Sequence, residues 1–203
     1  MNDLICEFRE WVDGVYGTYM DALSGFPLVR AEYEKMKAGT WPAPVNPSQA
    51  RPSAGSDPQI FAYARLVKGG KADRPTHIHQ VDMETVIERN TFLGKNTGFV
   101  GRMAIVAIYG YWNDHTRVRV EEHLGWAKDS LSVPIMGDIR HIRDMIVHNR
   151  SVADAKSKKL EVLSWPKEGE VISPSKDNIE DMIDRIMEFL GKFEHDPEAY
   201  HSK

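Results

Sequence analysis

At 203 residues, 41% of them hydrophobic and 9% aromatic, the chain is long enough to bury a core without disulfides or a metal, and it fits one domain. A formal net charge of −4 and a pI near 6.1 exclude a globally basic nucleic-acid binder, so any such contact must come from a local patch. Cys6 is the only cysteine, which excludes an internal disulfide framework and fits a reducing cytoplasm. Asp3, Glu7, Arg9 and Glu10 argue against a signal peptide, and no apolar run reaches the roughly 18 residues of a membrane helix.

From Leu4 to about Lys37, Leu4, Phe8, Trp11, Val12, Val15, Tyr19 and Leu23 recur at three- and four-residue steps. Gly14, Gly17 and the run Gly25-Phe26-Pro27 are expected to break this helix into two pieces. Ala38 to Pro58 holds five of the eleven prolines and is read as a long surface loop, the first place for a protease to cut. Gln59 to Val67 is ordered but of no clear type, and "THIHQV" alternates weakly, as a strand would. Asp82 is the expected N-cap of a helix reaching Leu93, with Thr85 and Glu88 in its early turns. From Phe99 to Trp112 apolar residues cover almost the whole circumference, which places that helix at the centre of a bundle. It turns polar toward "RVRVEEHLG" and stops at Gly125. Pro134 introduces the next helix. Lys159 to Ser173 reads as two short strands around a Pro/Gly turn, and Ile179, Met182, Ile183, Ile186 and Leu190 mark a closing amphipathic helix. The expected fold is therefore mainly α: an up-and-down helical bundle, a single domain over 1–203, with a small C-terminal β-hairpin at 159–173 and a long Pro-rich loop at 38–58.

The helix after Pro134 carries the most chemistry. Ile135, Ile139, Ile142 and Ile146 form one core-facing stripe. The stretch "DIRHIRDMIVHN" also carries Arg140, His141, Arg143, Asp144 and His148. Arg140, Asp144 and His148 stack at i, i+4, i+8, whereas Arg143 and His148 lie about 140° apart and about 7.5 Å along an ideal axis. A long arginine can close much of that gap, so the two could flank one anionic group, but they are not neighbours on a straight helix, and a second copy of the helix across a two-fold axis would bring such groups together more easily. A solvated, ion-paired helix face has the same composition. From Ile139 to Lys159 six Lys/Arg face two acids, whereas from Leu160 onward eleven acids face five Lys/Arg. That basic patch fits an anionic ligand, with Arg140, His141 and Arg150 as candidate RNA-binding residues.

The stretch "IRHIRDMIVHN" resembles the signature of the HEPN superfamily. Arg143, polar Asp144, the hydrophobic filling Met145-Ile146-Val147 and then His148-Asn149 match its arginine-to-histidine motif. The surroundings agree, since the family is an up-and-down helical bundle whose motif helix follows an apolar central helix. The resemblance covers six motif residues plus this order of helices. It implies a metal-independent endoribonuclease that works as a homodimer and needs no cofactor. His148 would act as general base or acid on the RNA 2′-hydroxyl reaction, and Arg143 would bind the scissile phosphate and stabilise its transition state. Asp144 would orient or restrain His148, and Asn149 would bond substrate or backbone. A toxin or host-defence role follows, with an antitoxin or regulatory protein as possible partner. Asparagine is the commoner residue after the arginine in active members, so Asp144 bears on activity rather than on fold. The other class of function is a non-catalytic HEPN-like module that binds a partner protein or a nucleotide.

Other signals count for less. His77 and His79 share a strand face but have no third ligand nearby. Tyr111 and Trp112 read as core or interface, Arg102 as internally paired or snorkelling, and Cys6 as lacking catalytic context.

Overall fold

The computed structural model describes residues 1–38, 60–65 and 76–202, with side chains described for 1–38 and 81–202. The Pro-rich segment 39–58 lies outside the described residues, as do the side chains of His77 and His79. The protein is mainly α-helical. Helix α1 covers Asn2–Lys37, strands β1 and β2 cover Ile60–Arg65 and Thr76–Asp82, and α2 covers Met83–Arg89. Helix α3, Lys95–Tyr111, passes through a π-turn at Trp112–Thr116 into α4, Arg117–Leu124. Helices α5, Pro134–His148, and α6, Lys176–His195, follow, and single 3-10 turns occupy Ala155–Lys159 and Pro197–Tyr200. No helix among the described residues is long and apolar enough to cross a membrane.

The chain divides into two compact units. One comprises Met1–Ala22 with Thr97–Lys203, and the other Leu23–Asn96. In the smaller unit β1 pairs antiparallel with β2, with a register shift between Tyr63 and Ala64. Asp82 caps α2 as expected, its carboxylate accepting the Thr85 N–H at 2.8 Å. The helix is shorter than the sequence pattern, because Asn90 ends it and donates its side-chain amide to the Val86 carbonyl.

The larger unit is built on apolar stripes. Ile5, Phe8, Val12 and Tyr19 of α1 are buried, as are Ile105 and Ile108 of α3. So are the full isoleucine stripe of α5 and all five expected stripe positions of α6. Trp112 is the hub: its ring meets Phe8 at 5.2 Å and Phe189 edge-on at 5.6 Å.

Three further expectations change. Helix α1 is not broken. Pro27 sits inside it, and a Cβ at Gly14, Gly17 or Gly25 would meet nothing within 4 Å. An internal proline removes one backbone hydrogen bond and an internal glycine costs about 1 kcal/mol, and the turns on either side keep the helix running.

Helix α3 is not buried all round. Phe99 is 55% exposed and Met103 40%, and only the stripe through Gly98, Gly101, Ala104, Ile105 and Ile108 is covered. On that stripe a Cβ at Gly98 would fall 2.2 Å from the Ser173 hydroxyl oxygen. The glycine therefore lets the chain at Ile172–Pro174 lie directly on the helix, where Arg102 donates to the Ile172 carbonyl at 3.0 Å.

The C-terminal β-hairpin at 159–173 is absent. The segment opens in a 3-10 turn, and its one ladder contact is an isolated bridge between Val171 and Val152. The physical reason lies in its donors. The N–H groups of Glu161, Val162 and Leu163 all bind the carboxylate of Asp138, at 2.7–3.1 Å, so they cannot form a strand ladder.

Candidate functional site

Pro134 stands at the first turn of α5, where its missing N–H costs nothing. The stripe Ile135, Ile139, Ile142 and Ile146 faces the core, which fixes the rotation of the helix and so the direction of every other side chain. Arg140, Arg143 and Asp144 thereby line a polar cavity of about 700 Å3. Its opposite wall comes from α3, the π-turn and α4, through Tyr109, Trp112, Asn113 and Arg117. Its rim comes from the α4–α5 connection and the C-terminal segment, through Asp129, Ser132 and Ser202.

The rim is tied down. Gly125, at φ +68°, ends α4 in the left-handed conformation as expected. Buried Glu121 then accepts the N–H groups of Asp129 at 3.2 Å and Leu131 at 3.0 Å. The Ser132 N–H bonds the Tyr200 carbonyl, and the Ser202 N–H bonds the Ser130 carbonyl.

Three guanidinium groups thus share the cavity with two carboxylates, in a chain of net charge −4. Arg117 pairs with Asp129 at 2.7 Å, and Arg143 with Asp144 at 3.2 Å. Lys156 reaches the second oxygen of Asp144 at 3.5 Å. Arg140 has no carboxylate within ion-pair distance among the described residues. Burial pushes the Tyr109 phenol up from its ordinary pKa, against the opposing pull of Arg140, Arg117 and Arg143, so its hydroxyl stays a donor at neutral pH.

Arg143 and His148 meet within one chain. The Arg143 guanidinium Nη1 lies 3.3 Å from His148 Nε2. Donation from the guanidinium requires a lone pair on Nε2, and hence the neutral imidazole with its proton on Nδ1. An ideal straight helix separates the two Cα positions by about 140°. The contact is closed by the length of the arginine side chain, without a second copy of the helix.

The other candidates divide. His148 is the last residue of α5 and is exposed. Asn149 follows as C-cap, and its side-chain amide donates to the Val152 carbonyl at 2.7 Å, so it serves the turn. Arg150 and Ser151 both adopt left-handed φ, at 53° and 61°, and this reverses the chain. Arg150 is exposed past the helix end. His141 is half-buried on the neighbouring face of α5 and does not line the cavity.

Tyr109, Asn113, Arg117 and Asp129 escaped the sequence reading. The available signal was the spacing Tyr109, Asn113, Arg117 at i, i+4, i+8, where the apolar helix turns polar. A second cleft, of about 420 Å3, lies between α1 and α3 against Trp11, Val15, Val100 and Met103, and it is largely apolar. Among the described residues no three His, Cys, Asp or Glu side chains gather as a metal site would need. No family model, curated protein or solved structure matches the chain.

Proposed function

We propose that the protein is a metal-independent endoribonuclease of HEPN type, with Arg143 and His148 as its catalytic pair and an up-and-down helical bundle as its scaffold. The observation that carries this reading is the 3.3 Å approach of the Arg143 guanidinium to His148 Nε2 beside a cavity lined by three arginines. When Arg143 leaves His148 Nε2 for the phosphate, the lone pair freed on the neutral imidazole takes the proton from a ribose 2′-hydroxyl. The 2′-oxygen attacks the adjacent phosphorus, and Arg143 holds the phosphate oxygens as negative charge gathers on them. The P–O5′ bond breaks, the departing oxygen takes up a proton from water, and the His148 imidazolium returns its proton to the solvent. The product ends are a 2′,3′-cyclic phosphate, or a 3′-phosphate after hydrolysis, and a free 5′-hydroxyl. A toxin or host-defence role, held in check by an antitoxin or regulatory protein, belongs to the same reading. So does a homodimer with α5 near its interface.

A specific contact favours the second reading, a non-catalytic module that binds a partner protein or a nucleotide. Asp144 occupies Arg143 and Lys156 together, which draws positive charge away from a phosphate. Incubation of the purified chain with end-labelled RNA in excess EDTA separates the two. Cleavage to cyclic or 3′-phosphate ends is expected. Intact RNA under every condition, or cleavage only with added metal, ends the nuclease reading. Light scattering after size exclusion is expected to give the mass of a dimer.

A further inference from the structure

We propose that Arg117 and Arg140 form a second phosphate subsite in the cavity, so that the protein takes a single-stranded RNA longer than one nucleotide step and grips it by its backbone. The inference rests on the nuclease reading and names the substrate class of that site. Three observations carry it.

The first is spare positive charge. Arg143 and His148 together serve one phosphate. Arg140 faces the same cavity, lacks a carboxylate partner among the described residues, and lies about 12 Å along the α5 axis from His148. That is further than one phosphodiester reaches.

The second is the state of Arg117. Its Nη2 is fixed on Asp129 at 2.7 Å, while its Nε is buried and finds no acceptor among the described residues. A buried donor left without an acceptor is costly, so a small shift of Arg117 that brings Nε to an anionic oxygen in the cavity is favoured.

The third is the hydroxyl lining beside these arginines. Trp112 is packed between Phe8 and Phe189, so its ring is not free to stack a base. Tyr109, Ser132 and Ser202 add hydroxyls, which suit ribose and phosphate oxygens.

The test is binding of an uncleavable 2′-O-methyl oligoribonucleotide to the full chain, followed by fluorescence anisotropy over a range of salt. For single strands the slope of log affinity against log salt is about 0.7 per phosphate contact. Arg117→Gln and Arg140→Gln are each expected to lower the slope by about that amount and to weaken binding several-fold. Arg185→Gln, at an exposed position of α6, is expected to change neither. Asp129→Asn is expected to tighten binding, since it removes a carboxylate from the cavity while asparagine tolerates the φ of 65° at that position. A misfolded variant cannot imitate that gain. Unchanged slopes in both arginine variants overturn the subsite, and if the wild type still cleaves RNA the nuclease reading survives alone. Arginine-dependent RNA binding without cleavage under any condition leaves the subsite standing and removes the nuclease. Binding of a mononucleotide but not the oligoribonucleotide overturns the proposal and gives the cavity to a nucleotide ligand.

Discussion

Helix α5 carries two aspartates six residues apart that meet the rest of the protein in opposite ways. Asp138 is 2% exposed, and its carboxylate accepts N–H groups from three consecutive residues of another segment. Asp144 stands at the edge of the cavity and divides itself between Arg143 and Lys156, both at least partly exposed. Around Asp138 every donor has one partner and the arrangement is closed. Around Asp144 the cations outnumber the acid and can be reassigned to an incoming anion. A saturated polar cluster holds a fold together, whereas an unsaturated one at a cavity is where a ligand gains most.

The sharpest way to separate the two sides is to remove the open one. His148→Ala is expected to reduce RNA cleavage by roughly 10²–10⁴-fold, the usual contribution of a proton-transfer group. Because His148 is exposed, the thermal midpoint is expected to stay within a degree or two. Single-turnover rates and a melting curve on the same preparation check both halves. Cleavage at the wild-type rate would remove His148 from the mechanism.

Breaking the closed side reverses the pattern. Asp138→Ala strands three backbone donors at roughly 1–3 kcal/mol each, so a loss of several kcal/mol is expected in urea unfolding. Ile142→Ala, on the same helix, is expected to cost about 2–5 kcal/mol through the cavity it leaves. Activity per folded molecule should fall much less than with His148→Ala. An Asp138 variant as stable as the wild type would mean that the 160–163 segment finds other acceptors.

The smallest effect probes the open side without dismantling it. Asp144→Asn keeps the shape, frees Arg143 from its ion pair and supplies the residue commoner in the motif that the stretch resembles. A several-fold rise in cleavage, with unchanged stability, is the expected result. No change would show that the 3.2 Å pair does not restrain Arg143 during the reaction.

Much of the scaffold was legible because it is periodic. The stripes of α5 and α6 follow from spacing alone, and Asp82 and Gly125 follow from capping chemistry. What escaped depends on partners distant in sequence. Asp138 looks like a surface residue until its acceptors are matched with backbone donors 23 to 25 residues away. Those same donors explain why the alternating "KLEVLSW" pattern does not become a strand. The Arg143–His148 contact was only half legible, because straight-helix geometry sets the two Cα directions apart and leaves the reach of the guanidinium to decide whether they meet. Arg117 was hidden because it arrives from another helix, held there by a rim that Glu121 anchors.

The π-turn at Trp112–Thr116 has a consequence for how this cavity came to exist. A π-turn is, in effect, one residue inserted into an α-helix. At its first residue Trp112 must point into the core; just past its end, Arg117 must point into the cavity. Deleting one residue, such as His115, would return the helix to its standard repeat. It would also rotate everything after the deletion by about 100° relative to what precedes it. Trp112 and Arg117 could not then both keep their places. The shortened protein is expected to retain helical circular dichroism while losing the Arg117–Asp129 pair and the polar wall of the cavity. The extra residue thus acts as a frame-shift in three dimensions, separating the reading of the core from the reading of the site along one continuous helix.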